Sequence, residues 1–306
     1  MRNWILIGFF VFSILDQLYC QLSGVEIEIL GIAQDAGYPQ IDCQKSCCAS
    51  VWEDSTGSKS PVALGVYDHD RQKSWLVEAT PEIKWQWNRI VRSSSAIPSG
   101  ILITHAHIGH YSGLLQLGRE AMNARNMPIY ILPRMAGFLT NNGPWKLLLD
   151  LGNITLNYIH PDSTYQLSEQ LSYMPLLVPH RDEFSETAAF IFIGPTKRLL
   201  FVPDIDKWSK WDRNIIQLIQ TVDYALIDGT FFENGELPNR DISEIPHPFI
   251  IESLSLFENL SVDQRDKIYF IHFNHTNPLV REEPVALQKV LKRGMHVSQE
   301  GMKFKL

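Results

Sequence analysis

The stretch Ile101-Leu-Ile-Thr-His-Ala-His-Ile-Gly-His110 sets three histidines at i, i+2 and i+5 directly behind an apolar run. Side chains two apart on an extended backbone point the same way, so His105 and His107 can reach one metal ion together. Gly109 lets the chain turn, and His110 can swing in from the start of the next helix. Neutral imidazole is the commonest metal ligand near neutral pH, so this pattern points to a metal centre. Further donors stand where other apolar runs stop. His180 follows Leu176-Leu-Val-Pro179, Asp204 follows Leu199-Leu-Phe-Val-Pro203, and His272 closes Lys267-Ile-Tyr-Phe-Ile271. Ligands that leave strand ends share one rim of a sheet assembly, so residues distant in sequence can converge there.

The surrounding pattern alternates strands and helices. Period-two or β-branched runs predict strands over 25–32, 62–67, 74–79, 100–104, 128–132, 154–159, 176–179, 187–193, 198–202, 224–227 and 267–273. Helical periodicity predicts helices over 81–91, 111–123, 138–149 with a break at Gly143-Pro144, 208–221, 249–257 and 280–291. No repeat or linker interrupts residues 21–306, which are expected to form one domain.

Hydrophobic residues make up 45% and charged residues 20% of the 306-residue chain, which suits a globular protein with a sizeable core. The net charge of −7 gives no basic footprint, so a small-molecule substrate is expected rather than nucleic acid. Residues 1–20 read as a signal peptide: Arg2 precedes the apolar run Trp4 to Leu15, which is too short to span a bilayer comfortably. Leu18-Tyr-Cys20 also resembles a lipobox, which would make Cys20 a lipid anchor and the only membrane contact. Export is therefore expected, to the periplasm, the medium or a lipid-anchored position. Cys43, Cys47 and Cys48 fall in a loop-like knot, Asp42-Cys-Gln-Lys-Ser-Cys-Cys48. Three soft ligands can hold a structural zinc with a fourth donor from elsewhere, or form a disulfide and leave one free thiol.

The triple-histidine run resembles the His-x-His-x-Asp-His signature of the metallo-β-lactamase superfamily, and His180, Asp204 and His272 resemble its later ligands in the same chain order. The resemblance implies an α/β fold, the four-layer αββα sandwich. It implies a first metal site of His105, His107, His180 and Asp204, and a second of His110, His272 and Asp204. Gly109 occupies the family's aspartate position, so the second site lacks a carboxylate. Asp35, Asp206, His247 and His275 are available substitutes, with Asp206 read as a loop or helix-cap residue. Leu30-Gly-Ile-Ala-Gln-Asp-Ala-Gly-Tyr-Pro-Gln40, Val77-Glu-Ala-Thr-Pro-Glu82 and His272-Phe-Asn-His-Thr-Asn-Pro-Leu279 resemble the pyrroloquinoline quinone biosynthesis protein B branch. That branch carries a structural zinc on its cysteine-rich loop.

The expected chemistry is hydrolysis. A bound metal lowers the pKa of its water from about 16 toward 7 and polarises an ester, lactone, amide or phosphodiester oxygen. Zinc, one or two ions, is the expected metal, and the donor set also suits iron. Asp204 and His247 are the candidate catalytic groups, His247 lining the pocket or donating a proton from the rigid Ile245-Pro-His-Pro-Phe249 loop, the alternative for it being a helix-start residue without chemistry. Asp228, behind a buried strand, reads either as a residue that steers a ligand histidine or as a turn aspartate before Gly229. The alternatives are an iron-dependent oxygenase, implied by the cofactor-biosynthesis resemblance, and a non-catalytic binding protein in which Gly109 marks decay of the site.

Overall fold

The computed structural model describes residues 23–237 and 245–306. The leader-like segment 1–20, with Cys20, lies outside the described residues. No helix among them is long and apolar enough to cross a membrane.

The chain first lays down β1 (Val25–Gly31), β2 (Ala63–Asp68), β3 (Lys73–Val77), β4 (Ile101–Leu102), β5 (Met127–Ile131) and β6 (Ile154–Tyr158). It then forms β7 (Tyr165–Gln166), β8 (Ser172–Val178), β9 (Thr187–Ile193), β10 (Arg198–Val202), β11 (Tyr224–Asp228), β12 (Ile268–Ile271) and β13 (His296–Val297). The last strand, β14 (Lys303–Lys305), returns to the first sheet beside β1. The result is two seven-stranded sheets, ordered β14-β1-β2-β3-β4-β5-β6 and β13-β12-β11-β10-β9-β8-β7.

Each sheet begins antiparallel and ends in parallel crossovers. Strands β1, β3, β4 and β5 run one way in the first sheet, as do β8, β10, β11 and β12 in the second. Their C-terminal ends therefore gather at common rims, where the candidate ligands emerge.

The period of two along the strands sorts side chains into layers. Ile27, Ile29, Leu64, Val66, Trp75 and Val77 pack in the same cluster as Phe190, Phe192, Leu200 and Val202 of the second sheet. The alternate residues Ala63, Tyr67, Leu76 and Ile101 pack instead with Ile83 and Ile90 of helix Ile83–Ser94 and with Met135 and Leu139 of helix Pro133–Asn141. Helices Ile215–Gln220, Ile250–Leu256 and Pro284–Leu291 bury Ile215, Ile250 and Val290 on the second-sheet side. Helix, sheet, sheet and helix thus form the αββα sandwich that the resemblance implies. Each fully buried phenylalanine between the layers contributes about 1.5–3 kcal/mol of transfer free energy.

Several boundaries differ from the sequence expectation. Cys47 and Cys48 lie on a short helix, Ser46–Glu53, rather than in a loop. The helix expected over 208–221 contracts to Ile215–Gln220, because the Asn214 side chain accepts from Ile216 N and Gln217 N and starts the helix there. Strand β8 begins four residues early and runs through Pro175. The edge strands β13 and β14 have only two and three residues, too few to show a period.

Candidate metal centre

Strand β4 delivers the histidine run to the rim, and the second sheet clamps it there. Ala188 N donates to Thr104 O at 3.0 Å, and Ala106 N donates to Ser185 Oγ at 2.9 Å. His105 Nε2 then lies 2.9 Å from His107 Nδ1, and His107 Nδ1 lies 3.2 Å from His180 Nε2. Asp204 stands 3.4 Å from His105 Nε2 through Oδ2 and 3.2 Å from His180 Nε2 through Oδ1. Ligand atoms about 2.1 Å from one tetrahedral ion are about 3.4 Å apart, so these separations match a single shared cation.

The second set gathers on the other side of Asp204. His110 Nε2 and His272 Nε2 are each 3.8 Å from Asp204 Oδ2. Asp35 joins them, with Oδ1 3.3 Å from His110 Nε2. Asp35, His110 and His272 offer ligand atoms within 4.8 Å of one another, as do His105, His107, His180 and Asp204. Asp35 Oδ1, His110 Nε2, His272 Nε2 and Asp204 Oδ1 are buried without a hydrogen-bond partner. Buried polar atoms are otherwise nearly always paired, and a cation at each set would satisfy these four. The residues present therefore fit a metal.

The electrostatics agree. Burial drives His105 far below the usual imidazole range, with the neighbouring His110 acting the same way, so it stays a neutral donor. Burial likewise lowers His107 and His272. Burial also opposes charge on His110, but Glu78 and Asp35 outweigh it and lift that ring to about 10, marking a place that favours positive charge.

Outer partners fix which nitrogen faces inward. Thr104 Oγ1 lies 2.9 Å from His105 Nδ1, and Thr230 Oγ1 lies 2.9 Å from His272 Nδ1. Asp206 Oδ1 is 3.4 Å from His180 Nδ1, so it positions a ligand and neither caps a helix nor completes the second site. Glu78 was not apparent as a site residue from sequence. Its Oε1 accepts from Thr104 Oγ1 at 2.6 Å and sits 3.1 Å from His110 Nδ1, so one fully buried carboxylate steadies a histidine of each set. Both Glu78 and His272 adopt positive φ, 73° and 68°, a strained conformation found where surrounding structure enforces it. Glu78→Gln is expected to weaken metal binding about 10- to 100-fold, read by zinc titration against a competing chelator. Unchanged affinity would refute this role.

Asp228 turns out to hold His247 rather than a ligand histidine. His247 Nδ1 is 2.8 Å from Asp228 Oδ2 and 3.4 Å from Asp204 Oδ1. Asp228 also accepts from Ile205 N and Thr230 N. Burial opposes charge on His247, but Asp228 and Asp204 prevail and raise it to about 9. A cavity of about 540 Å³ opens here, lined by Gln34, Arg181, Phe231, Leu237, Ile245 and His247 among others. His275 also lines it and does not join the second set.

At the cysteine cluster the three thiols are free. Cys43 Sγ lies 3.7 Å from Cys47 Sγ, which lies 4.0 Å from Cys48 Sγ, well beyond a disulfide bond. The alternative of a disulfide with one free thiol is not realised, and the three sulfurs converge as metal ligands would.

A family model of the beta-lactamase superfamily domain matches residues 75–273. The chain belongs to that superfamily and has the metallo-β-lactamase fold. Along its length it is similar to coenzyme PQQ synthesis protein B. It is 25% identical to that protein from Acinetobacter baumannii (strain ACICU) over 313 residues, covering 92% of this chain and 100% of the relative. Against the same protein from Pseudomonas entomophila (strain L48) it is 24% identical over 310 residues, covering 92% and 99%. Among solved structures, Zn(2+)-bound PqqB from Methylobacterium extorquens aligns with a TM-score of 0.78 at 20% identity, covering 92% of this chain and 100% of that one. A diphosphatase of the PhnP family aligns at 0.61 and 20% identity, covering 92% and 97%. Human tRNase Z, short form, aligns at 0.57 and 12%, covering 92% and 98%. At these identities the structural likeness is one of fold.

Proposed function

We propose that the protein is a metal-dependent hydrolase acting on a small ester, lactone, amide or phosphodiester. The observation that carries this reading is the convergence of His105 Nε2, His107 Nδ1, His180 Nε2 and Asp204, beside a cavity lined by His247. The zinc-bound homologue of the same fold supports zinc as the metal. A zinc ion held by these four residues would lower the pKa of a coordinated water toward 7 and polarise the oxygen under attack.

The chain's own groups do the rest. Asp228 holds His247 by Nδ1, which leaves Nε2 to face substrate and donate a proton to the leaving group. Arg181, the residue after a ligand histidine, lines the cavity and suits an anionic portion of the substrate, with Phe231, Leu237 and Ile245 supplying apolar walls. Thr104, Glu78, Asp206 and Thr230 keep the imidazoles in register for binding. At Cys43, Cys47 and Cys48 a further zinc would serve structure, since these thiols sit against Tyr38 and Trp52, which donate to Cys47 O and Cys43 O.

The test is hydrolysis of bis-p-nitrophenyl phosphate, p-nitrophenyl acetate and a simple lactone by purified protein. Turnover of at least one is expected, lost on chelation and restored by zinc. Inactivity on all three, with oxygen consumption on adding ferrous iron, would replace this reading with an oxygenase.

A further inference from the structure

We propose that Asp35 supplies the carboxylate of a second cation site, standing in from a different loop for the aspartate that Gly109 replaces. This rests on the metal-dependent reading of the same rim.

The argument begins in the backbone. Strand β1 ends at Gly31, where any Cβ would lie 1.9 Å from Pro61 O, so only glycine lets the chains approach. Beyond it, Ile32 N and Ala33 N both donate to Ser60 O, and Val62 N donates to Ala33 O. From the other side Gln34 N donates to Phe273 O, and Phe273 N donates to Ile32 O, each at 2.8 Å. Residues 32–34 are thus held between the start of β2 and the residue after His272. Gly37 N closes a turn onto Gln34 O, which sets Asp35 at the corner facing the rim.

The position reached is the one that position 109 would otherwise fill. A Cβ on Gly109 would lie 2.3 Å from Asp35 Cα and 2.5 Å from Asp35 Oδ1. Gly109 has an ordinary helical φ, so its lack of a side chain answers to this approach and not to backbone conformation. Any residue with a side chain there would collide with the backbone of Asp35. The glycine is therefore the counterpart of Asp35 and not the mark of a decayed site. Asp35 Oδ1 has no hydrogen-bond partner, and it shares its 4.8 Å group with His110 and His272. With Asp204 Oδ2 these give two imidazoles and two carboxylates, a donor set for zinc or another first-row divalent cation, with the two negative charges balancing the ion.

The experiment measures zinc bound per chain by elemental analysis after reconstitution with zinc alone, in the full chain and its Asp35→Ala and Asp35→Asn variants. Both variants are expected to lose one equivalent relative to the unaltered protein. Anomalous difference maps should show one rim peak instead of two, the survivor lying among His105, His107 and His180. Asp35→Asn is isosteric and carries the test if the alanine variant fails to fold. Equal melting temperatures in chelator would show an intact fold. Unchanged zinc content and two rim peaks in a folded variant, or a single rim ion in the unaltered protein, would overturn the assignment. Two rim ions without any hydrolysis would leave it standing and count against the hydrolase reading. Hydrolysis with a single rim ion would do the reverse.

Discussion

Asp204→Ala is expected to strip the rim of metal and to lower hydrolysis by ~10³-fold or more, because an unactivated water replaces one of near-neutral pKa. Asp204 faces both ligand sets directly, with Oδ1 3.2 Å from His180 Nε2 and Oδ2 3.4 Å from His105 Nε2 and 3.8 Å from both His110 and His272. Without it, the imidazoles of both sets keep their positions but lose the shared negative charge that favours a divalent ion. Both sets of histidines face this one carboxylate, so losses in the two sets should appear together. Zinc content and steady-state rates, measured on one preparation, check this. A variant that retained rim metal and rate would show that the histidines suffice.

The second large effect is expected at His247. Its alanine variant should keep its metal and lose about 10²- to 10⁴-fold in turnover on substrates with poor leaving groups. The loss should be much smaller on p-nitrophenyl esters, whose leaving group departs without a proton. Asp228→Asn should follow the same pattern more weakly, since it acts by holding Nδ1 at 2.8 Å. Comparing an alkyl ester with a p-nitrophenyl ester separates proton donation from a packing defect. Equal losses on both substrates would assign His247 a structural part only.

The residues that the sequence exposed were those whose chemistry follows from local spacing. His105 and His107 point alike because they are two apart, and His180, Asp204 and His272 each close an apolar run that β8, β10 or β12 contains or abuts. The four-layer sandwich was legible through its family motif, while strand periodicity alone fits several α/β arrangements. Glu78 stayed hidden because its role depends on a positive φ just past β3 and on contact with His110 across the sheet. Asp35 could be named as a candidate but not chosen over Asp206, His247 or His275. What separates them is the stitching of residues 32–34 to 60–62 and 273, which no local pattern encodes. Helix Ser46–Glu53 escaped because Lys45 caps it without a side-chain hydrogen bond, so the usual start signal is missing.

The pairing of Ala33 with Phe273 has a consequence for how the protein matures. The loop that bears Asp35 is made long before the backbone that holds it, which arrives only with residue 273. Strand β14, the neighbour of β1, comes later still. A nascent chain can gather the histidines around residue 105 long before it can close the ring of donors. The ring of donors that includes Asp35 therefore depends on a contact about 240 residues away in sequence, and a chain cut short of residue 273 would lack both His272 and the backbone that positions Asp35.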